Sequence, residues 1–271
     1  MSATEPTAPP PQLTNEEHEA RRAEGVKMSQ ETKDRFAHED VPFGSHPRQR
    51  MDLFFPEGEA KGPTLVFLHG GGFRAGDPGS VSYHGYHYLE SGAIFAAMGY
   101  RLLPDAKVED AADDIEAGLT ALAERVADHG GDPEQIYLSG HSAGAILAAS
   151  VGLRPSSAIP ADLVKGLVLI SGMYQAENSD PERYNPGSAR HVSRLIDHVE
   201  HIPGHTIVVA GDHDFPACLP DATALTELLR ARGGSVEMFV EPDADHFAAN
   251  RSFVAASGPV HDATITMMKL S

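Results

Sequence analysis

Short apolar runs at 64–69, 93–98, 135–139, 166–171, 205–210 and 235–240 alternate with segments at about 81–91, 109–128, 143–153, 190–200, 219–232 and 246–255, whose apolar residues recur at helical spacing. Runs this brief and this continuous fit strands covered on both faces, and their alternation with helices predicts an α/β chain built on a doubly wound, mostly parallel sheet. The segment Arg50–Phe55 alternates instead and halts at Pro56, which predicts an antiparallel edge strand. Thr14–Phe36 is mostly polar, with Thr14 or Asn15 as N-cap ahead of Glu16 and Glu17; it reads as a helical arm packed over the mouth of a site. Residues 1–12, rich in Pro, Thr and Ala, read as a disordered tail. The remainder, 13–271, reads as one domain with its arm at about 13–40 and a small cap inserted at about 175–203, where charges and two prolines interrupt the alternation.

Two strand ends carry glycine motifs. Thr64–Leu68 runs into His69-Gly70-Gly71-Gly72-Phe73, and Gln135–Ser139 runs into Gly140-His141-Ser142-Ala143-Gly144. A Gly-x-Ser-x-Gly pentapeptide between strand and helix forces a tight turn that lifts the serine hydroxyl clear of the backbone. A glycine-rich loop can present bare N–H groups to a developing oxyanion. With 26 Gly and 15 His in the chain, chance alone yields the pentapeptide about 0.2 times and His-Gly-Gly-Gly about 0.01 times. The pair, in this order and context, points to acyl transfer, with Ser142 as nucleophile and the N–H groups of Gly71, Gly72 and Ala143 as oxyanion donors. A tight turn alone would not need three consecutive glycines.

A serine hydroxyl needs a base, and the base a carboxylate to fix its tautomer. On such a sheet both belong at later strand ends, acid before base. The strand at 205–210 is followed by Gly211-Asp212-His213-Asp214-Phe215-Pro216, and that at 235–240 by Glu241-Pro242-Asp243-Ala244-Asp245-His246-Phe247. Asp214 is favoured as the acid because the loop has room to turn there, with Asp212 its rival. His246 is the base, since His213 precedes the acid. Phe73, Tyr83, Phe215 and Phe247 flank these motifs and are candidate substrate-pocket walls; core packing is the equal alternative for any one. His141 reads as packing the elbow and His69 as bracing the glycine loop. His84-x-x-His87 has metal-ligand spacing but lacks a third ligand, so no metal is expected.

Composition narrows the partners. The net charge of −18 opposes nucleic acid and anionic membranes, which need basic patches. No run approaches a membrane span and the N-terminal residues lack a signal-peptide pattern. The single cysteine, Cys218, excludes an intramolecular disulfide and favours the cytoplasm. A small-molecule substrate is expected, with no cofactor, and a homodimer is compatible with the sequence.

With these residues in hand the chain resembles α/β-hydrolases of the His-Gly-Gly-Gly branch, which includes hormone-sensitive-lipase-like and feruloyl-esterase-like carboxylesterases and kynurenine formamidase. The resemblance runs from about Gly44 to the C-terminus and takes in Gly99-Tyr100-Arg101-Leu102-Leu103-Pro104, the acidic residues Asp110, Asp113 and Asp114, and Gly131–Ile136 before the nucleophile strand. It implies the α/β-hydrolase fold, the triad Ser142, Asp214 and His246, and hydrolysis of small to medium carboxylic esters through an acyl-enzyme. An aryl-formamidase-type amidase would use the same residues. A non-catalytic binding protein on this fold would be expected to have lost a triad member.

Overall fold

The computed structural model describes residues 14–58, 62–176, 180–184 and 194–270. Eight strands form one sheet: β1 (His38–Pro42), β2 (Arg50–Phe54), β3 (Thr64–Leu68), β4 (Ile94–Met98), β5 (Ile136–His141), β6 (Val164–Ile170), β7 (His205–Gly211) and β8 (Val236–Glu241), in the spatial order β1-β2-β4-β3-β5-β6-β7-β8. Strand β2 pairs antiparallel with both β1 and β4, whereas β4, β3, β5, β6, β7 and β8 are parallel. The chain therefore winds one way from β3 to β4 and the other way to β5, which makes the crevice between the carboxyl ends of β3 and β5 the topological switch point where such sheets bind ligands.

Both sheet faces are covered, so the central strands are apolar at most positions. Val66, Leu68, Ile94, Ala96 and Met98 face one core, and Leu65, Phe67, Phe95 and Ala97 face the other. Helices α3 (Val108–Asp128), α4 (Ala143–Leu153) and α5 (Cys218–Ala231) supply residues to the first core; α2 (Tyr86–Glu90), α6 (Arg251–Val254) and α7 (Pro259–Met268) line the second. All eleven residues of α4 are buried, as expected of a helix apolar on every side. The Tyr100-Arg101 segment anchors α3: Asp114, 1% exposed, takes bonds from the Arg101 Nε at 2.9 Å and the Arg101 backbone N–H at 2.8 Å.

Helix α1 (Asn15–Arg35) forms, with Thr14 as N-cap in a reciprocal capping box with Glu17. It is polar nearly all round and docks through a narrow seam of small residues: Gly25, Ser29 and Thr32 are buried, and Ser29 Oγ accepts the Tyr83 N–H at 3.3 Å. A methyl group at Gly25 would meet Ser80 O at 2.7 Å. Lys33 Nζ reaches the buried Asp52 at 2.7 Å, and Arg35 bonds Tyr86 and Glu90 at 2.6 and 2.7 Å.

Several elements differ from the sequence expectation. Strand β2 is antiparallel but not an edge, because the polar stretch His38–Pro42 pairs along its outer side. The helix expected at 81–91 is a 3₁₀ turn (Ser82–Gly85) followed by α2; Gly85, packed so closely that a methyl group would meet the Phe95 ring at 2.2 Å, marks the break. The helix expected at 246–255 is likewise a 3₁₀ turn plus the four-residue α6. Helix α7 was not anticipated, although Val260, Thr264 and Met268 are buried at helical spacing. The expected tail at 1–12 lies outside the described residues. So does much of the expected cap and of the helix at 190–200, of which the 3₁₀ turn Leu195–His198 is described. No helix among the described residues is long and apolar enough to cross a membrane.

Candidate active site

Ser142 sits on the turn between β5 and α4 with φ 56° and ψ −119°, a left-handed backbone that serine adopts only under constraint. Its N–H is held by Ile170 O at 2.8 Å. The flanking glycines make the turn feasible. A methyl group at Gly140 would meet Gly144 O at 2.4 Å, and one at Gly144 would meet Leu68 O at 2.1 Å. Helix α4 therefore starts directly against the carboxyl end of β3.

That end of β3 carries the glycine loop. Gly71, Gly72, Phe73 and Gly76 all have positive φ, so the chain coils back on itself, and Gly71 O accepts from Arg74 and Ala75 N–H. A methyl group at Gly70 would lie 3.2 Å from Ser142 Cβ and 3.1 Å from His141 Nδ1. The loop thus abuts the serine with no side chain between them. Among the described residues no acceptor takes the N–H of Gly71, Gly72 or Ala143. His69 braces the loop from below: its Nδ1–H donates to Gly70 O at 2.8 Å and its ring stacks on Tyr100 with centroids 4.3 Å apart. Burial pulls the His69 pKa down to about 4, so the ring is neutral at pH 7.

His246 Nε2 is 2.8 Å from Ser142 Oγ, and His246 Nδ1 is 2.7 Å from Asp214 Oδ1. The carboxylate fixes the tautomer: Nδ1–H donates to Asp214, which leaves Nε2 to accept the serine proton. Asp214 is buried, and burial alone would raise its pKa. Hydrogen bonds from His246 and Ser171 outweigh that and hold it at about 2. Ser171 Oγ donates to Asp214 Oδ2 at 2.5 Å, Phe215 N–H to Oδ1 at 2.7 Å and Gly211 N–H to Oδ2 at 3.3 Å. Asp212, the rival acid, is exposed and instead accepts from the Ala244 N–H at 3.1 Å, stapling the β7 and β8 loops together.

His141 does more than pack the elbow. Its Nε2–H donates to the carbonyl oxygen of His246 at 2.7 Å, and burial lowers its pKa to about 4. Ser171, at φ 56° directly after β6, and Cys218, whose thiol donates to Ser171 O at 3.4 Å, back the acid. Sequence reasoning assigned neither, since a serine ending a strand carries no signature. Burial pushes the Cys218 thiol pKa up, which keeps it protonated. Asp214, Cys218 and His246 offer ligand atoms within 4.8 Å of one another, but the bond between His246 and Asp214 already commits the facing nitrogen and oxygen.

A pocket of about 240 Å³ opens beside Gly70 and His141 and is walled by α1, Tyr83, His84 and Phe247. Of the four aromatic candidates, Tyr83 and Phe247 line it. Phe215 stacks on the His246 ring with centroids 4.1 Å apart. Phe73, only 3% exposed, belongs to the core beneath the glycine loop. His84 is buried and stacked on Phe67, with its Nδ1 on Val81 O and its Nε2 on the Asn250 amide, while His87 pairs with Glu90. The His84 and His87 spacing is therefore structural.

A family described as the alpha/beta hydrolase fold matches residues 65–198. The chain has the α/β-hydrolase fold. Among solved α/β-hydrolase structures, an esterase from Pyrobaculum calidifontis superposes with a TM-score of 0.72 at 22% identity, over 94% of this chain and 90% of that one. A putative thioesterase from Silicibacter sp. gives 0.71 at 23%, over 92% of each. The probable isoprenylcysteine alpha-carbonyl methylesterase of Oryza sativa subsp. japonica is 33% identical over 51% of this chain and 36% of its own length. Kynurenine formamidase of Danio rerio is 25% identical over 51% of this chain and 46% of its own. This chain thus spans less than half the length of these curated relatives.

Proposed function

We propose that this α/β hydrolase is a serine carboxylesterase acting on small to medium esters. The observation that carries the reading is the unbroken line from Ser142 Oγ through His246 to Asp214, at 2.8 and 2.7 Å. Ser142 Oγ attacks the ester carbonyl as His246 Nε2 takes its proton, and Asp214 stabilises the imidazolium that forms. The N–H groups of Gly71, Gly72 and Ala143 donate to the tetrahedral oxyanion. His246 then returns the proton to the departing alkoxide. Water repeats the sequence on the acyl-enzyme and releases the acid. Methylesterase and esterase names among the relatives support the ester over the amide.

Replacing Ser142 by Ala is expected to abolish hydrolysis of p-nitrophenyl butyrate and labelling by a fluorophosphonate while leaving the circular dichroism spectrum unchanged. Retained turnover would remove Ser142 from the mechanism. The match to kynurenine formamidase supports a second reading, an aryl-formamidase activity from the same residues; N-formylkynurenine assayed beside simple esters separates the two. In this reading the enzyme works in the cytoplasm on a small molecule, without nucleic acid or membrane, and the net charge of −18 supports that choice of partner. It is one domain from 13 to 271, and a homodimer is its proposed assembly.

A further inference from the structure

The pocket beside Gly70 and His141 mixes polar and apolar groups, and the polar ones share one chemical bias. His141 spends its Nε2–H on the His246 carbonyl at 2.7 Å. Its neutral ring therefore turns a bare acceptor, Nδ1, to the Gly70 side, where a methyl group at Gly70 would lie 3.1 Å away. His84 is saturated, with Nδ1 on Val81 O and Nε2 on Asn250. On the α1 wall, Arg21 lies 3.6 Å from Asp245 and 4.9 Å over the Phe247 ring, so its charge is already engaged. One helical turn on, the Glu24 carboxylate lines the same pocket and makes no hydrogen bond or ion pair among the described residues. The lining thus leaves two acceptors open and its only cation occupied. The Phe247 face already carries Arg21, which leaves the Tyr83 ring as the aromatic wall, and aromatic faces attract cations. A chain charge of −18 raises the local concentration of cationic small molecules further.

We propose that this pocket selects substrates whose acyl or alcohol limb carries a positively charged amine a few bonds from the scissile carbonyl, with Glu24 and His141 Nδ1 as its partners; this rests on the esterase reading above. The volume of about 240 Å³ fits a short limb, below the range of pockets that enclose drug-sized ligands.

Isosteric ester pairs test it. They are p-nitrophenyl 3-aminopropanoate against p-nitrophenyl butanoate for the acyl limb, and 2-(dimethylamino)ethyl butyrate, protonated at neutral pH, against 3-methylbutyl butyrate for the alcohol limb. In one pair the cationic member is expected to show at least tenfold higher kcat/KM at low salt. That preference should shrink in 0.5 M NaCl and fall about fivefold in Glu24→Gln, the scale of a partly exposed charge pair. Equal or lower kcat/KM for the cationic member of both pairs, with the neutral members turned over, overturns the proposal and leaves the esterase reading standing. If no ester is turned over, the esterase reading fails, and binding then decides the pocket separately. Propylammonium, titrated into the ¹⁵N-labelled protein, is expected to move the His141 ring resonances, and propanol to move them far less; an equal response to both overturns the proposal.

Discussion

His141 holds the backbone of His246: the Nε2–H of the one donates to the carbonyl oxygen of the other at 2.7 Å, across 105 residues of sequence. The residue before the proposed nucleophile therefore sets the position of the proposed base. His141→Phe keeps the ring but not the donor. The expected result is about a tenfold fall in kcat, the equivalent of one lost hydrogen bond of roughly 1.4 kcal/mol, with Ser142 still labelled by a fluorophosphonate, only more slowly. Unchanged kcat would mean that the β8 loop holds His246 without help.

Gly70 faces Ser142 with no room for a side chain. Gly70→Ala would bring a methyl group to 3.2 Å from Ser142 Cβ and 3.1 Å from His141 Nδ1, both tighter than ordinary contact. Activity is expected to drop at least tenfold, whereas the melting temperature moves by a few degrees at most, about 1 kcal/mol. A melting shift as large as the loss of activity would show that the loop matters to folding and not to the serine.

Ser171 supplies one of four hydrogen bonds that reach the Asp214 carboxylate, at 2.5 Å. Ser171→Ala leaves that oxygen with the longer Gly211 bond alone, at a cost of about 1–3 kcal/mol in stability. Because the lost bond helps hold the Asp214 pKa at about 2, the pKa should rise. The acid limb of the stability profile would then begin at higher pH, as urea midpoints across pH 2–5 would read. An unmoved acid limb would place the Ser171 hydroxyl outside the electrostatics of Asp214.

Three buried imidazoles give the chain a pH-dependent stability. Burial lowers the pKa of His69 and His141 to about 4 and that of His84 to about 3, from 6.5. As pH falls below 6.5 the unfolded chain takes up protons that the native one refuses, so stability is full above 6.5 and drains away toward 4. Full titration of one such group is of the order of 3 kcal/mol. Asp214, depressed to about 2, has the same sign in a lower window: its contribution is lost between 3.8 and 2. A urea midpoint that stays level from pH 7 to pH 5 would contradict neutral burial of these rings.

What was legible in the sequence was local. A strand, a tight turn and the start of a helix lie side by side in the chain, so the surroundings of Ser142 and the glycine loop followed from spacing. Asp214 and Asp212 share one loop, and what separates them, the meeting of Asp214 with Ser171 and His246 from distant parts of the chain, cannot be read from their spacing. Ser171 gains meaning because the parallel pairing of β6 with β7 sets their carboxyl ends side by side, and no pattern along the chain announces that. Phe73 was misleading for a related reason. Its ring is buried in the core, 3% exposed, a placement set by residues far from it in the chain. Strand β1 escaped notice because an edge strand of polar residues has no apolar alternation to read.

Helix α1 touches the rest of the molecule along a thin seam at Gly25, Ser29 and Thr32 and through ion pairs near its end, yet residues 21, 24, 25 and 28 help wall the pocket. Residues 21, 24 and 28 wall the pocket without entering that seam, and Gly25 alone belongs to both. Those outward positions can drift, and the proposed substrate preference with them, without any residue of the sheet having to change.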